Sequence, residues 1–437
     1  MRAVVLAFAF LAGPLFSQPV LLLRNVHVVD VAAGKVTRSQ AILIRGNRIA
    51  EIAPHITAPA GAHTVEGTGE YVIPGLWDMH VHLWYKENQF PLYLAQGITG
   101  LRDMGSDLER VQAWRREIAE GRLLGPHIET SGPMMDGVAS QDSKLPVLVV
   151  RTPADAVAAY SRLEAKRVDF IKIGSRLPRD AYFALLDRAR KWRVPVAGHV
   201  PDDVTVEEAI VERQASMEHL LGILLACSSE EQKLRAAKPP DMAQILDTFD
   251  AAKADRLFVQ MARNEAWQCP TLTMWRRVFG WDAEGEAANP LLESVSPAIR
   301  KGWKEDPKEI RASASPEAFA LHTRQYAALA AIVARMQKNN VPLLAGTDTG
   351  DPYTVPGDEL HRELELLVRA GLTPAQALRA ATLAPAKYFD ADEELGHVKA
   401  GKRADLVVLE GNPLEDIRNT RKVHAVILGG RYLPKAR

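Results

Sequence analysis

Val72-Ile-Pro-Gly-Leu-Trp-Asp-Met-His-Val-His-Leu83 is an apolar run that ends in two histidines one residue apart, His80 and His82. Side chains at i and i+2 of a strand point to the same face. Two imidazoles on one face beyond a buried strand make a nitrogen claw suited to a divalent metal. Alone, the pair fits equally well two strand histidines bonded to backbone or water, because so short a motif has many chance matches. The residues downstream tip that balance.

From this run onward, short apolar stretches alternate with helical patterns. The stretches are Leu76–Leu83, Thr99–Met104, His127–Ser131, Asp169–Ile173, Val194–Val200, Ser216–Leu220, Trp267–Leu272 and Val341–Asp348. Helices are predicted over Leu108–Glu120, Pro153–Lys166, Arg179–Lys191, Val204–Arg213, Ala252–Asn264 and Pro316–Asn339. Strands alternating with helices signal the α/β class with a parallel sheet, and eight such units over roughly 300 residues match a TIM (β/α)8 barrel. Active sites of that architecture lie at the carboxyl ends of the strands. Those ends carry His80 and His82, Lys172 inside an apolar run, His199, His219 and Asp348. Each has an ordinary explanation on its own. A lysine can snorkel outward, a histidine can be a satisfied core residue, and an aspartate can cap a turn. Five strand ends carrying such residue types together point instead to a metal centre.

The two ends of the chain have another texture. Leu21–Asp30 alternates in polarity, and Ala41–Ile52 carries Gly46-Asn47 at its centre, a hairpin signal. Ala404–Glu410 and Val423–Leu433 again read as strands separated by turns. These ends are expected to form one small β-sandwich, residues 18–74 with 390–437, flanking a barrel over 75–389. Residues 1–17 are different again. Arg2 precedes an apolar run from Ala3 to Phe16 that stops at Ser17-Gln18, as in a secretory signal peptide. Such a run is too short to span a bilayer comfortably, so a periplasmic or secreted protein with no membrane span after cleavage is expected.

The 437 residues hold 54 basic and 54 acidic side chains. That balance gives no support for nucleic-acid or general anion binding; a small-molecule substrate is the expected partner, and association into a homo-oligomer is left open. Export would permit a disulfide between Cys227 and Cys269, but two separate half-buried thiols are the simpler reading.

Taken together, Pro74-Gly-Leu-Trp-Asp-Met-His-Val-His82, Gly97-Ile-Thr-Gly-Leu-Arg-Asp-Met-Gly105, the lysine, histidines and aspartate above, Ala381-Thr-Leu-Ala-Pro-Ala386 and Gly396–Val408 carry a resemblance. The chain resembles the amidohydrolase superfamily, in its imidazolonepropionase-like and zinc prolidase-like branch. The resemblance implies two divalent metal ions, usually Zn2+. His80, His82 and Asp348 would hold one ion and His199 and His219 the other. Lys172, carboxylated by carbon dioxide, would bridge them. A lysine in an apolar strand end has a lowered pKa and hence more neutral amine to react. The implied activity is hydrolysis of an amide or peptide-like C–N bond, in a dipeptide or N-acyl amino acid, with Asp348 as the catalytic acid–base.

On the substrate side the pattern thins. Trp84, Tyr85, Met134 to Gln141, Trp275, Tyr353 and His361 follow strand ends, and Tyr85, Tyr353 and His361 are candidate substrate contacts. Arg102 and Asp103 read most simply as an ion pair with each other. Prolidase-like relatives often carry a Gly-Gly-His type element after strand three, where this chain has Gly132-Pro-Met-Met-Asp-Gly137. A mononuclear deaminase, a cyclic-amide or lactone hydrolase, and a non-catalytic binding protein on the same fold stand as alternatives.

Overall fold

The computed structural model describes residues 20–139, 145–279, 289–301, 311–350 and 353–435. The expected leader, residues 1–17, lies outside them, as does Gln141. Among the described residues no helix is long and apolar enough to cross a membrane.

Both ends of the chain build one sheet. Its strands are β1 (Val20–Asp30), β2 (Lys35–Arg45), β3 (Arg48–Ala53), β4 (His63–Glu66) and β5 (Tyr71–Pro74). From the far end come β15 (Leu406–Leu409), β16 (Val423–Leu428) and β17 (Arg431–Pro434). Their order is β17-β16-β15-β5-β1-β2-β3, with β4 also on β1. Gly46 and Asn47 do form the two-residue connection between β2 and β3, with Gly46 at a φ of 57°. The expected sandwich is a single curled sheet: the Ile49 amide donates to the Lys402 carbonyl and the Gly401 amide to the Ile49 carbonyl. This brings β3 back against the approach to β15. Leu21, Leu23, Val26 and Val28 on one face of β1 are buried there with Ile42, Ile44, Leu406, Val408 and Ile427.

The middle of the chain forms two parallel sheets. One is β6 (Leu76–Val81), β7 (Ile98–Asp103) and β8 (His127–Thr130). The other runs β10-β9-β11-β12-β13-β14: β9 is Met134–Asp136, β10 Val147–Val149, β11 Ile171–Ile173, β12 Val196–Gly198, β13 Ser216–Glu218 and β14 Trp267–Cys269. Hydrogen bonds link the two sheets in two places. The Asp169 amide donates to the Thr130 carbonyl, and residues 341–349 bridge β14 to β6. The eighth expected strand, Val341–Asp348, is therefore present as a path rather than a continuous strand. Pro342 has no N–H to give the ladder, and only isolated bridges, Gln268 to Leu343 and Val81 to Thr349, form.

Helices cover the outer face of these strands. Alternation places Ile171, Ile173, Val196 and Met217 in one large cluster with Phe90, Tyr160, Tyr182, Leu185, Phe258 and Leu364 from the helices. Each such side chain, fully withdrawn from water, contributes roughly 1.5–3 kcal/mol. The opposite face of the strands holds a smaller cluster of Met104, Phe170 and Ala197. It is the face on which Lys172 and His199, two residues beyond Phe170 and Ala197, must also emerge. Helix starts are written locally. Thr152 and Asp155 make a reciprocal cap for the helix Pro153–Ala165, with a proline in its first turn.

Candidate metal centre

The four histidines of the expected ligand set share one arrangement. Each has its Nδ1 tied to a fixed partner. His80 donates to a Glu218 carboxylate oxygen at 2.7 Å and His82 to the Gly105 carbonyl at 3.2 Å. His199 pairs with the Ser175 hydroxyl at 2.7 Å, and His219 with the Thr271 hydroxyl at 2.7 Å. This leaves the four Nε2 atoms for the centre. His80 Nε2 and His82 Nε2 lie 3.3 and 3.2 Å from Asp348 Oδ1. The His80 and His219 rings are 4.5 Å apart at their centroids, and those of His199 and His219 are 5.1 Å apart. A nitrogen or oxygen from each of His80, His219 and Asp348 falls within 4.8 Å of the others. His80 Nε2 is buried with no hydrogen-bond partner. A buried bare lone pair is costly in a dry protein, and a bound cation would satisfy it. The donor set, imidazole nitrogens with a carboxylate, suits a divalent transition metal such as zinc.

The electrostatics follow from burial. His80 and His199 are held well below the ordinary imidazole range, first by burial and then by the Lys172 charge. His219 is brought down to about 4, again chiefly by burial. These rings are neutral at neutral pH. His82 is raised: burial works against its charge, but the hydrogen-bonded Asp348 carboxylate prevails. Lys172 is only 2% exposed, and burial lowers its ammonium to about 8 even with Glu218 and Asp348 nearby.

Backbone geometry delivers these groups. His219 and Asp348 both have φ of 62°, and Thr271 has 48°, in the left-handed region that L residues adopt at a cost. At His219 the turn breaks the alternation of β13. Ser216 and Glu218 already face inward, and the left-handed turn brings His219 in beside them. Gly198 precedes His199 with a φ of 133°; a Cβ there would lie 2.3 Å from the Ile173 carbonyl oxygen and 3.1 Å from the Lys172 Cδ.

Asp103 ties three strand ends together. Its carboxylate accepts from the Leu83 amide, the Ser106 hydroxyl and the Thr130 hydroxyl. It does not pair with Arg102, contrary to the expectation, because consecutive strand residues face opposite ways. Arg102 is fully buried. It donates to the Met79 carbonyl, to the Ser216 hydroxyl and to both oxygens of Glu218.

The candidate substrate residues fare differently. Trp84 stacks beside His82, with centroids 6.0 Å apart, and donates to the Gly350 carbonyl, so it spans the loops after the first and last strand positions. Trp275 donates from its indole to the His219 carbonyl. Tyr85 is 43% exposed at the start of the helix Lys86–Ala95. Tyr353 packs with Leu292, Val295 and Val355. Met134 to Asp136 form β9. His361 is not a substrate contact: it is fully buried in the helix Asp358–Arg369, with Nδ1 on the Thr420 hydroxyl and Nε2 on the Gln96 carbonyl. Both nitrogens are spent on packing that helix. Cys227 and Cys269 are buried free thiols. Glu218, Ser175 and Thr271, which hold three of these imidazoles, are not among the residues the sequence marks out. The i, i+2 pair Ser216/Glu218 just before His219 was the available signal.

Comparison with known proteins agrees with this geometry. Residues 323–433 match the family model described as Amidohydrolase family. The chain is 25% identical over 387 residues to imidazolonepropionase of Vibrio cholerae, covering 86% of this chain and 87% of that protein. It is 23% identical over 389 residues to ochratoxinase of Aspergillus niger, covering 81% and 73%. Among solved structures it resembles a Xaa-Pro dipeptidase with bound methionine in the active site, with a TM-score of 0.69 and 21% identity over 95% of this chain and 100% of that one. By these matches the chain resembles the amidohydrolase superfamily, with the family model reaching its residues 323–433 and relatives at 23–25% identity over most of its length.

Proposed function

We propose that the chain is an exported, metal-dependent amidohydrolase that cleaves an amide or peptide-like C–N bond of a small molecule, such as a dipeptide or an N-acyl amino acid. In this reading the two parallel sheets and residues 341–349 close into one (β/α)8 barrel, and its strand ends carry two zinc ions. The reading is supported by one observation: His80 and His82, with Nδ1 anchored, set Nε2 3.3 and 3.2 Å from Asp348, and the His219 ring follows 4.5 Å from that of His80 and the His199 ring 5.1 Å from that of His219, centroid to centroid.

His80, His82 and Asp348 would hold one ion, His199 and His219 the second, and Lys172, as its carbamate, both. When bound, the ions supply electrophilic activation of the substrate carbonyl and of a water molecule. The chain supplies the rest. Asp348 takes the proton of the attacking water and returns it to the leaving amine. Trp84, against His82, forms one wall. Burial of His80, His82, His219 and Lys172 lowers the local dielectric and strengthens the interactions in the site. The apolar run before Ser17 would direct export to the periplasm or the medium.

The test is metal quantitation on purified protein, followed by a screen of dipeptides, N-acyl amino acids, cyclic amides and lactones. Two ions per chain and amine release from an acyclic amide support the reading. One ion per chain with Lys172→Ala still active would replace it with a mononuclear deaminase-like enzyme. No ion and no hydrolysis would leave a binding protein. The mass of the mature chain recovered from a cell fraction tests export.

A further inference from the structure

We infer that Glu218 is a positioning residue that makes the His80 side of the centre the tighter of its two metal positions, with Arg102 and Ser216 locking it in place. The inference rests on the two-metal reading above. Glu218 is 1% exposed and accepts four hydrogen bonds. Oε1 takes the Ser216 hydroxyl at 2.5 Å and Arg102 at 2.9 Å; Oε2 takes Arg102 at 2.9 Å and His80 Nδ1 at 2.7 Å. Every lone-pair direction is filled, so the carboxylate cannot rotate. Arg102 is fixed in turn by the Met79 carbonyl and by the faces of Tyr388 and Phe170, 5.0 and 5.8 Å from its guanidinium carbon.

A buried arginine–glutamate pair is weak evidence for stabilisation, since desolvation offsets most of the attraction. This pair has a third member, and that sets its purpose. Because a carboxylate only accepts, His80 must carry its proton on Nδ1, leaving Nε2 as a bare lone pair. The other three imidazoles lean on neutral groups: a carbonyl at His82 and hydroxyls at His199 and His219. Only His80 leans on an anion. An anionic partner raises the basicity of the distal nitrogen more than a neutral one, and its loss typically costs a metal site 10–100-fold in affinity. Glu218 and His219 are also consecutive, so one short segment steadies both halves of the centre from opposite sides.

The experiment is titration of the metal-free protein with Zn2+ against a competing chelator, with Co2+ absorption as a second readout, for the wild type, Glu218→Gln and Ser216→Ala. Glu218→Gln keeps the shape but removes the charge. It is expected to weaken one of two Zn2+ equivalents by about 10–100-fold and leave the other within a factor of a few. Ser216→Ala, which removes one of the four bonds, should weaken the same equivalent by less. Folding is followed by circular dichroism of the metal-free proteins. Two unchanged equivalents in folded Glu218→Gln overturn the inference while the two-metal reading stands. If Glu218→Gln does not fold, unchanged affinities in Ser216→Ala overturn it. A wild type that binds no Zn2+ ends both.

Discussion

Asp348 Oδ1 sits 3.2 Å from His82 Nε2, joining the last strand position of the central region to the first. The same oxygen is 3.3 Å from His80 Nε2. On the proposed reading, a carboxylate so placed would serve both as ligand and as proton carrier. Asp348→Asn keeps the shape and loses the basicity. Turnover of any substrate found in the screen should fall by at least ~10²-fold, with bound metal retained, as read by steady-state kinetics beside metal quantitation. Undiminished turnover would remove Asp348 from the chemistry.

Lys172 and the ions should stabilise the fold jointly. Removing metal with a chelator is expected to lower the thermal midpoint, because a ligand bound only to the native state adds RT ln(1 + [L]/Kd), about 2.7 kcal/mol at a hundred times Kd. Restoring Zn2+ should restore the midpoint in the wild type. In Lys172→Ala the recovery should be partial, since the bridging group is gone. Calorimetric scans with and without Zn2+ measure both; full recovery in the variant would argue against a bridging lysine.

Gly198 has no room for a side chain. A methyl group there meets the Ile173 carbonyl oxygen at 2.3 Å, and the φ of 133° is itself unfavourable for an L residue. Gly198→Ala should cost more than about 1 kcal/mol of stability. It should also displace Lys172 and His199, so that metal content falls with the melting temperature. Wild-type values of both would contradict the geometry.

Glu363 supplies a pH dependence away from the metal ligands. Its oxygens accept the amides of Leu272 and Thr273, capping the helix that follows Thr271. Burial drives its pKa up to about 8, from the 4.5 expected of the unfolded chain. Below pH 4.5 both states hold the proton and this group costs nothing. Between pH 4.5 and 8 the unfolded chain ionises while the folded chain does not, so stability is lost by up to about 1.4 kcal/mol per pH unit. Glu363→Gln should flatten that slope. Melting wild type and variant side by side at pH 5, 6.5 and 8 isolates it; parallel curves would show that Glu363 is ionised in the fold.

The alternating texture of the central region and the six chemical residues at its strand ends could be read from the chain because both follow local rules, strand period and residue type. What could not be read depends on departures from those rules. A strict alternation ending at His219 would have turned Glu218 outward; the left-handed φ of His219 lets both face in. The 341–348 segment reads as a strand, yet Pro342 and the close backbone approach at Gly346, where a Cβ would meet Cys269 Sγ at 2.5 Å, reduce it to bridges. Arg102 and Asp103 are neighbours in sequence and strangers in space. His361 follows a strand position, but a helix turns it toward Thr420 and Gln96. Of these, the separation of Arg102 from Asp103 follows from strand alternation and the Ser216/Glu218 pair from its i, i+2 spacing; the others do not follow from spacing.

The pairing of β15 with β5 bears on the order of assembly. Leu406 to Leu409 lie against Pro74 to Tyr71, and one residue later the chain enters the strand that ends in His80 and His82. On a ribosome the first imidazoles emerge long before the segment that anchors their strand. Until residues 406–409 have been made, β5 has only β1 beside it. Such long-range closure slows folding, because its loop entropy is lost before the contacts that repay it can form.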